Sequence, residues 1–331
     1  MSPIQKEIIL SINPSYHCNF SCDFCYLTHD QLRDRNRLNL EKLSQRLQEL
    51  DSARFKISHV DLYGGEIGLL PSDYLQDMKS RLRPYYDGPI NIISNLSHIH
   101  PFFLDTDVDM TVSFDFEARE KSELVFQNMF KFPGPLSVLM LASPELMKKN
   151  PDEMITLLNS IQNVQSVEIK PYSSNQANQL IQGFSDYEDF VMRWIQSPVP
   201  KRFQFINLEL INSVLDGSRN AFSDDHLYLT PKGDWAVLEF DQNDHEFFLT
   251  LPSLSEYEIW QLNEKKRVRE NKFCQKCEFL GRCLTEHYRD VKGLEKSCSG
   301  FKFLIETYRA QNQKLEDHPA MQNNEELLAQ N

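Results

Sequence analysis

Cys18-Asn19-Phe20-Ser21-Cys22-Asp23-Phe24-Cys25 follows directly on a β-rich apolar run, Ile8–Ser15. Three thiols at C-x3-C-x2-C spacing in the loop after a first predicted strand suit a [4Fe–4S] cluster. No fourth cysteine lies nearby, so one of the four irons would stay open to another molecule, as in a catalytic metal site. The same spacing also allows a zinc knuckle short of one ligand, or three unrelated buried thiols.

Outward from this loop, β-rich runs alternate with helical patterns from residue 7 to about residue 200. After the first run the strand candidates are Ile57–Tyr63, Ile90–Ser94, Met110–Phe114, Leu136–Leu141 and Ser166–Pro171. Leu75, Met78 and Leu82, and Leu124, Met129 and Phe130, carry helical spacing between them. Asn150-Pro151-Asp152-Glu153 reads as an N-cap with proline at the first helical position and glutamate closing a capping box. Met154, Ile155, Leu158 and Ile161 mark that helix's buried face. Ser185-Asp186-Tyr187-Glu188 opens a further helix, with Tyr187, Val191, Trp194 and Ile195 on one side. Six β-then-α units predict a parallel sheet curled toward a barrel by right-handed crossovers. A doubly wound open sheet is the competing layout.

The motifs that follow the cysteine loop all fall at the C-terminal ends of predicted strands, the face on which β/α barrels hold their active sites. Gly64-Gly65-Glu66 ends the second strand, Ser94-Asn95 the third and Ser113-Phe114-Asp115 the fourth. Turn residues placed at random would divide between both ends, so the barrel is preferred. With these motifs in this order, the chain resembles the radical S-adenosylmethionine (SAM) superfamily over most of residues 7–300. The resemblance implies that Cys18, Cys22 and Cys25 hold the SAM cluster. It implies that glycine at 64 and 65 lets the backbone approach the methionine end of SAM, and that Gly64-Gly65-Glu66 engages its ammonium group. It also places Asn95 near the ribose, with Leu96 where the family has glycine, matches Ser113 and Asp115 to a Ser-x-Asp segment, and sets Tyr26 beside adenine.

After residue 203 the rhythm changes. Tyr228–Val237 reads as a hairpin turning at Lys232-Gly233-Asp234, and Phe247–Leu251 is a second strand-like run. Cys274, Cys277, Cys283 and Cys298 then supply four thiolates within 25 residues, enough to close a cluster or a zinc ion completely. Their C-x2-C-x5-C run with a later cysteine resembles the auxiliary-cluster domain called SPASM, which implies a [4Fe–4S] cluster here. The cysteines of that domain's inner cluster are absent. Leu238 stands at one of their positions, His287 at another, and no cysteine lies between residues 26 and 273. One auxiliary cluster is therefore expected, with His287 a weak substitute ligand. A helix-like stretch around Phe301–Gln311 and a polar tail of 312–331, with too little apolar content to pack, complete the chain.

The expected fold is thus α/β, a partial (β/α)6 TIM-like barrel over residues 1–203. A small SPASM/twitch-like auxiliary-cluster domain follows over 204–300, then a C-terminal helix and tail over 301–331. Composition agrees with a globular chain: 331 residues, 40% hydrophobic, 25% charged, and no apolar run near the roughly 20 residues of a membrane span. The N-terminus lacks a signal-peptide pattern, which points to the cytoplasm. Seven cysteines in such a chain point away from structural disulfides. Thirty-five basic against 48 acidic residues give a net charge of −13, which disfavours nucleic-acid partners.

The resemblance implies reductive cleavage of SAM to a 5′-deoxyadenosyl radical that abstracts a substrate hydrogen. All seven cysteines are assigned to clusters, so none remains to return a hydrogen atom to a substrate radical. Oxidation or crosslinking of a ribosomally made peptide is the expected outcome, with Asp115 or Tyr172 as candidate base or relay. The alternative is a small-molecule enzyme acting on a sugar, alcohol or amino-acid derivative. A flavodoxin- or ferredoxin-type electron donor is expected. Because the first strand begins near residue 7, so is a separate partner to hold a leader peptide.

Overall fold

The structure is a computed structural model, and it describes residues 6–171, 184–222, 224–238, 248–284, 298 and 300–316. The strands are β1 (Lys6–Ile12), β2 (Phe55–Leu62), β3 (Ile90–Ser94), β4 (Val108–Ser113), β5 (Leu136–Leu141), β6 (Val164–Lys170), β7 (Gln204–Phe205), β8 (His226–Leu229), β9 (Trp235–Leu238) and β10 (Phe248–Leu251). The helices are α1 (His29–Arg33), α2 (Leu40–Ser52), α3 (Ser72–Leu82), α4 (Ser122–Lys131), α5 (Pro144–Met147), α6 (Pro151–Asn159), α7 (Phe184–Gln196), α8 (Ile206–Asp216), α9 (Leu254–Glu270) and α10 (Lys302–Glu316).

The strands form a single ten-stranded sheet in the order β10-β9-β8-β1-β2-β3-β4-β5-β6-β7. From β8 to β7 every neighbouring pair is parallel, and only the β8–β9–β10 meander is antiparallel. Two residue phases explain why the strands sit between helices and a cavity. Ile8, Leu10, Ile12, Val60, Leu62, Ile90, Ile92, Val112, Val138 and Ile169 are buried in the core. The alternate residues Ser11, Asp61, Ile93, Ser113, Leu139, Glu168 and Lys170 line a common cavity. Five inter-strand steps separate β1 from β6, about 24 Å if the sheet were flat. Ser11 and Lys170 nonetheless line the same cavity, so the sheet curls around it. Among the described residues β10 and β7 do not pair, and the barrel is partial.

Helix α6 starts as its cap predicts, with Pro151 at the first position. The Asn150 side chain, however, accepts from the Asp152 N–H, and Glu153 closes no capping box. Helix α4 buries Val125, Asn128 and Met129, whereas Leu124 and Phe130 of the expected face are exposed. Helix α9 has no counterpart in the sequence reading, and α10 runs on to Glu316, into the stretch expected to be too polar to pack.

The later segments join the sheet directly. Asn207 of α8 both donates to and accepts from the Ile169 backbone at 2.7 and 2.8 Å, continuing the edge of β6. The β8–β9 turn, with Gly233 at φ +79°, docks on α2: Arg46 Nε donates to the Gly233 carbonyl and Trp235 Nε1 to Glu49. No helix among the described residues is long and apolar enough to cross a membrane.

Candidate active site

The loop after β1 is held by the turn after β2. The Gly65 N–H donates to the Ser15 carbonyl at 3.0 Å and the Glu66 N–H to the His17 carbonyl at 2.8 Å. A Cβ on Gly65 would stand 2.1 Å from the His17 oxygen, and one on Gly64, at φ +149°, 2.6 Å from the Ser15 oxygen. In this structure the two glycines are required by the close approach of the cysteine loop's own backbone. Tyr26 closes the same junction, its hydroxyl donating to the Gly64 carbonyl at 3.1 Å.

Glu66 is buried at 3% exposure and turns inward rather than to the cavity. Its carboxylate accepts from the Gly68 N–H, the Ser94 hydroxyl and the Asn95 N–H, each at 2.7 Å. It therefore fastens the end of β2 to the end of β3, and burial keeps its pKa above the ordinary carboxylate value against those three donors. Leu96 takes a left-handed φ of +48°, which residues other than glycine rarely adopt. The strain, about 1–2 kcal/mol, is held by full burial of its side chain. The Asn128 amide, donating to its carbonyl, adds to the hold.

Cys18, Cys22 and Cys25 all line the cavity, whose volume is about 580 Å³, with Gly64, Gly65, Ser94, Asn95 and Ser113. Backbone N–H groups of Phe20 and Leu27 donate to the Cys18 and Cys25 sulfurs at 3.4 Å, and the Asn95 amide reaches Cys18 at 3.8 Å. Burial pushes the Cys18 thiol up to about 12 and Cys25 to about 11; it also raises Cys22, where Arg119 opposes it. Among the described residues no three His, Cys, Asp or Glu side chains converge as ligands of one ion. A cluster bonds each thiolate to a different iron, so three thiols opening on one cavity fit it better than a single metal.

Asp115 was expected to face a ligand or a substrate. It is fully buried, and its carboxylate takes the Leu141 N–H on one oxygen and Arg119 on the other, at 2.6 Å. It is a positioning residue, not a base open to the cavity. Its partner Arg119, which the sequence reading missed, lines the cavity 3.6 Å from the Cys22 sulfur and lies over the Phe24 ring. Burial works against its charge, yet Asp115 and Cys22 hold its pKa above the ordinary arginine value. The i,i+4 spacing of Asp115 and Arg119 was the available signal. Tyr172 and His287 lie outside the described residues.

Also missed were Asp61, Glu168, Lys170, Arg219 and His226, the polar lining farther along the cavity. The Asn91 amide donates to Asp61 at 2.7 Å and His59 lies at 3.1 Å. Burial works to raise the Asp61 pKa, but the His59 hydrogen bond and charge, together with the Asn91 amide and the Lys170 charge, hold the carboxyl below its ordinary value.

The four C-terminal cysteines lie apart from this loop. Cys274, Cys277 and Cys283 pack with Val214, Phe279 and Ile305 in a small apolar cluster, Cys283 buried. A Cβ on Gly300 would meet the Cys283 sulfur at 2.7 Å and the Cys298 sulfur at 3.7 Å, so those two thiols flank one glycine. Cys298 is exposed.

No protein-family model matches the chain, and no curated protein matches it. Solved structures do. SuiB of Streptococcus suis, bound to its precursor peptide SuiA, aligns with 89% of this chain and 77% of its own at 15% identity, with a TM-score of 0.61. anSMEcpe, with bound AdoMet and Cp18Cys peptide, aligns with 93% of this chain and 98% of its own at 13% identity, with a TM-score of 0.66. The chain shares the fold of these two proteins. Within that fold, the loop after β1 and the turn after β2 carry the motifs by which the sequence resembles the superfamily.

Proposed function

We propose that the chain is a radical SAM enzyme that takes a hydrogen atom from a peptide and thereby oxidises or crosslinks it. The observation that carries this reading is the opening of three thiols, without a fourth cysteine among the described residues beside them, onto the cavity bordered by Gly64 and Gly65. Cys18, Cys22 and Cys25 would hold a [4Fe–4S] cluster. Such a cluster, when bound, would supply the one electron that splits SAM into methionine and the 5′-deoxyadenosyl radical needed to abstract substrate hydrogen.

The chain's own residues position and shield. Gly64 and Gly65 allow the cysteine loop to seat; Glu66 locks the ends of β2 and β3. Arg119 places a fixed cation beside Cys22, and Asn95 and Ser113 offer polar groups on the cavity wall. Cys274, Cys277, Cys283 and Cys298 would hold one auxiliary [4Fe–4S] cluster with no open iron, and a flavodoxin- or ferredoxin-type protein would supply electrons. Support for a peptide substrate comes from the two neighbours, each solved with a peptide bound.

The test is anaerobic reconstitution followed by iron, sulfide and 5′-deoxyadenosine measurements with dithionite. About eight irons per chain are expected, falling to about four in Cys22→Ala together with loss of 5′-deoxyadenosine. Full 5′-deoxyadenosine formation by Cys22→Ala would overturn the assignment. Circular dichroism checks that the variant folds.

A further inference from the structure

The segment from α8 to β8 forms one wall of the cavity, and its arginine has no carboxylate partner among the described residues. Arg219 is half-buried and lines the cavity, and its Nε donates to the Cys283 carbonyl at 3.1 Å. Among the described residues no aspartate or glutamate forms an ion pair with it. The other cations of the cavity are answered: Arg119 by Asp115 at 2.6 Å, and Lys170 by Glu168 at 3.8 Å. His226 stands on the same wall as Arg219, its Nδ1 turned to Asp225 at 2.8 Å.

A guanidinium pinned through Nε keeps its two terminal nitrogens as a planar fork, the geometry that matches a carboxylate with two parallel hydrogen bonds. A cation partly removed from water is costly unless something supplies the opposite charge. Glu168 is paired with Lys170 and Asp61 lies beside His59, so Arg219 is the lining cation left for a substrate acid among the described residues. The Cys283 carbonyl that fixes the fork belongs to the C-terminal cysteine run, which also accepts the Ala221 N–H at the Gly281 carbonyl, 2.9 Å.

We propose that Arg219 receives a carboxylate of the substrate, and that the Cys283 carbonyl aims it, so the C-terminal cysteine site governs substrate fit. This rests on the cavity being the substrate site. The carboxylate belongs to an acidic side chain or to a peptide C-terminus, and the probes separate the two.

The experiment is equilibrium dialysis of the anaerobically reconstituted full chain, in the presence of SAM. The probes are N-acetyl-glutamate α-amide (side-chain carboxylate only), N-acetyl-leucine (terminal carboxylate only) and N-acetyl-glutamine α-amide (neither). At least one acid probe is expected to bind about tenfold or more tighter than the neutral one. Arg219→Gln should erase that preference, and Arg219→Lys, which keeps charge but not the fork, should retain part of it. Cys277→Ser should weaken the acid probe and have no further effect when combined with Arg219→Gln. SAM affinity should stay unchanged in Arg219→Gln.

Equal binding of acid and neutral probes by the wild type, or a preference that survives Arg219→Gln, overturns the proposal. A parallel fall in SAM affinity overturns it in favour of the SAM carboxylate as the ligand. An unweakened Cys277→Ser removes the aiming role. Probe binding needs no SAM cleavage, so absence of 5′-deoxyadenosine would sink the proposed function and leave this result readable.

Discussion

In the loop after β1 each thiol is already held by the fold, whereas the C-terminal thiols rest on a small apolar cluster and an exposed cysteine. Cys18 and Cys25 accept backbone N–H groups, Cys22 faces Arg119, and the Gly65 and Glu66 amides tie the loop to β2. Cys283 packs among Val214, Phe279 and Ile305, and Cys298 is exposed. The first region is fixed by backbone contacts of its own, and the second, among the described residues, packs on apolar side chains.

The glycines sharpen that contrast most. Gly65→Ala sets a Cβ 2.1 Å from a backbone carbonyl that cannot swing aside. We expect a loss on the order of 4 kcal/mol in urea unfolding, together with loss of iron from the first site. Next comes Asp115→Asn, which leaves the buried Arg119 cation without its counter-charge. The expected cost is about 3 kcal/mol by the same measurement, and a cost near zero would mean that Asp115 does not position Arg119.

Gly300→Ala meets the Cys283 sulfur at 2.7 Å, which can turn, and the Cys283 Cβ at 2.9 Å, which cannot, but no carbonyl, so about 2 kcal/mol is expected. Equal costs for Gly65→Ala and Gly300→Ala would break the comparison between the two regions.

The smallest effect concerns Glu188 of α7, whose carboxylate accepts the Leu304 N–H at the start of α10. Burial raises its pKa despite the Leu304 and Phe303 donors. A carboxyl with a raised folded-state pKa costs stability above its ordinary pKa of 4.5, and the cost fades as pH falls through the folded value. Glu188→Gln should therefore gain about 0.5 kcal/mol or less at pH 7. That difference should shrink toward zero near pH 4.5 when both proteins are unfolded across a pH series.

The parallel strands were legible because continuous apolar runs bounded by turn residues have few other uses. Ile90–Ser94 and Leu136–Leu141 coincide with β3 and β5. The strand-end motifs were legible for the same reason, since each follows such a run. Helix α9 was not: polar and apolar residues are scattered around it, and Ile259 and Leu262 remain exposed. In α4 the apolar residues were seen but the wrong stripe was chosen, because Leu124 and Phe130 are as apolar as the buried Val125. The role of Glu66 was hidden because a motif gives residue type and spacing, and only the structure shows the carboxylate turned toward Ser94 and Asn95. Arg219 was invisible for a deeper reason. Its meaning lies in having no ion-paired acid among the described residues, which no linear pattern records.

The pairing of β8 with β1 sets a schedule on synthesis. Strand β1 gains β2 soon after it emerges, but its other edge waits for His226, Leu227, Tyr228 and Leu229, roughly two hundred residues later. At ribosomal speed this interval is on the order of ten to forty seconds. Throughout it, the strand that leads into Cys18 lacks its second neighbour, and the wall carrying Arg219 has yet to be made. Iron and sulfide delivered in that interval would meet the three thiols at an unfinished cavity, and the last strands would then close beside a loaded loop.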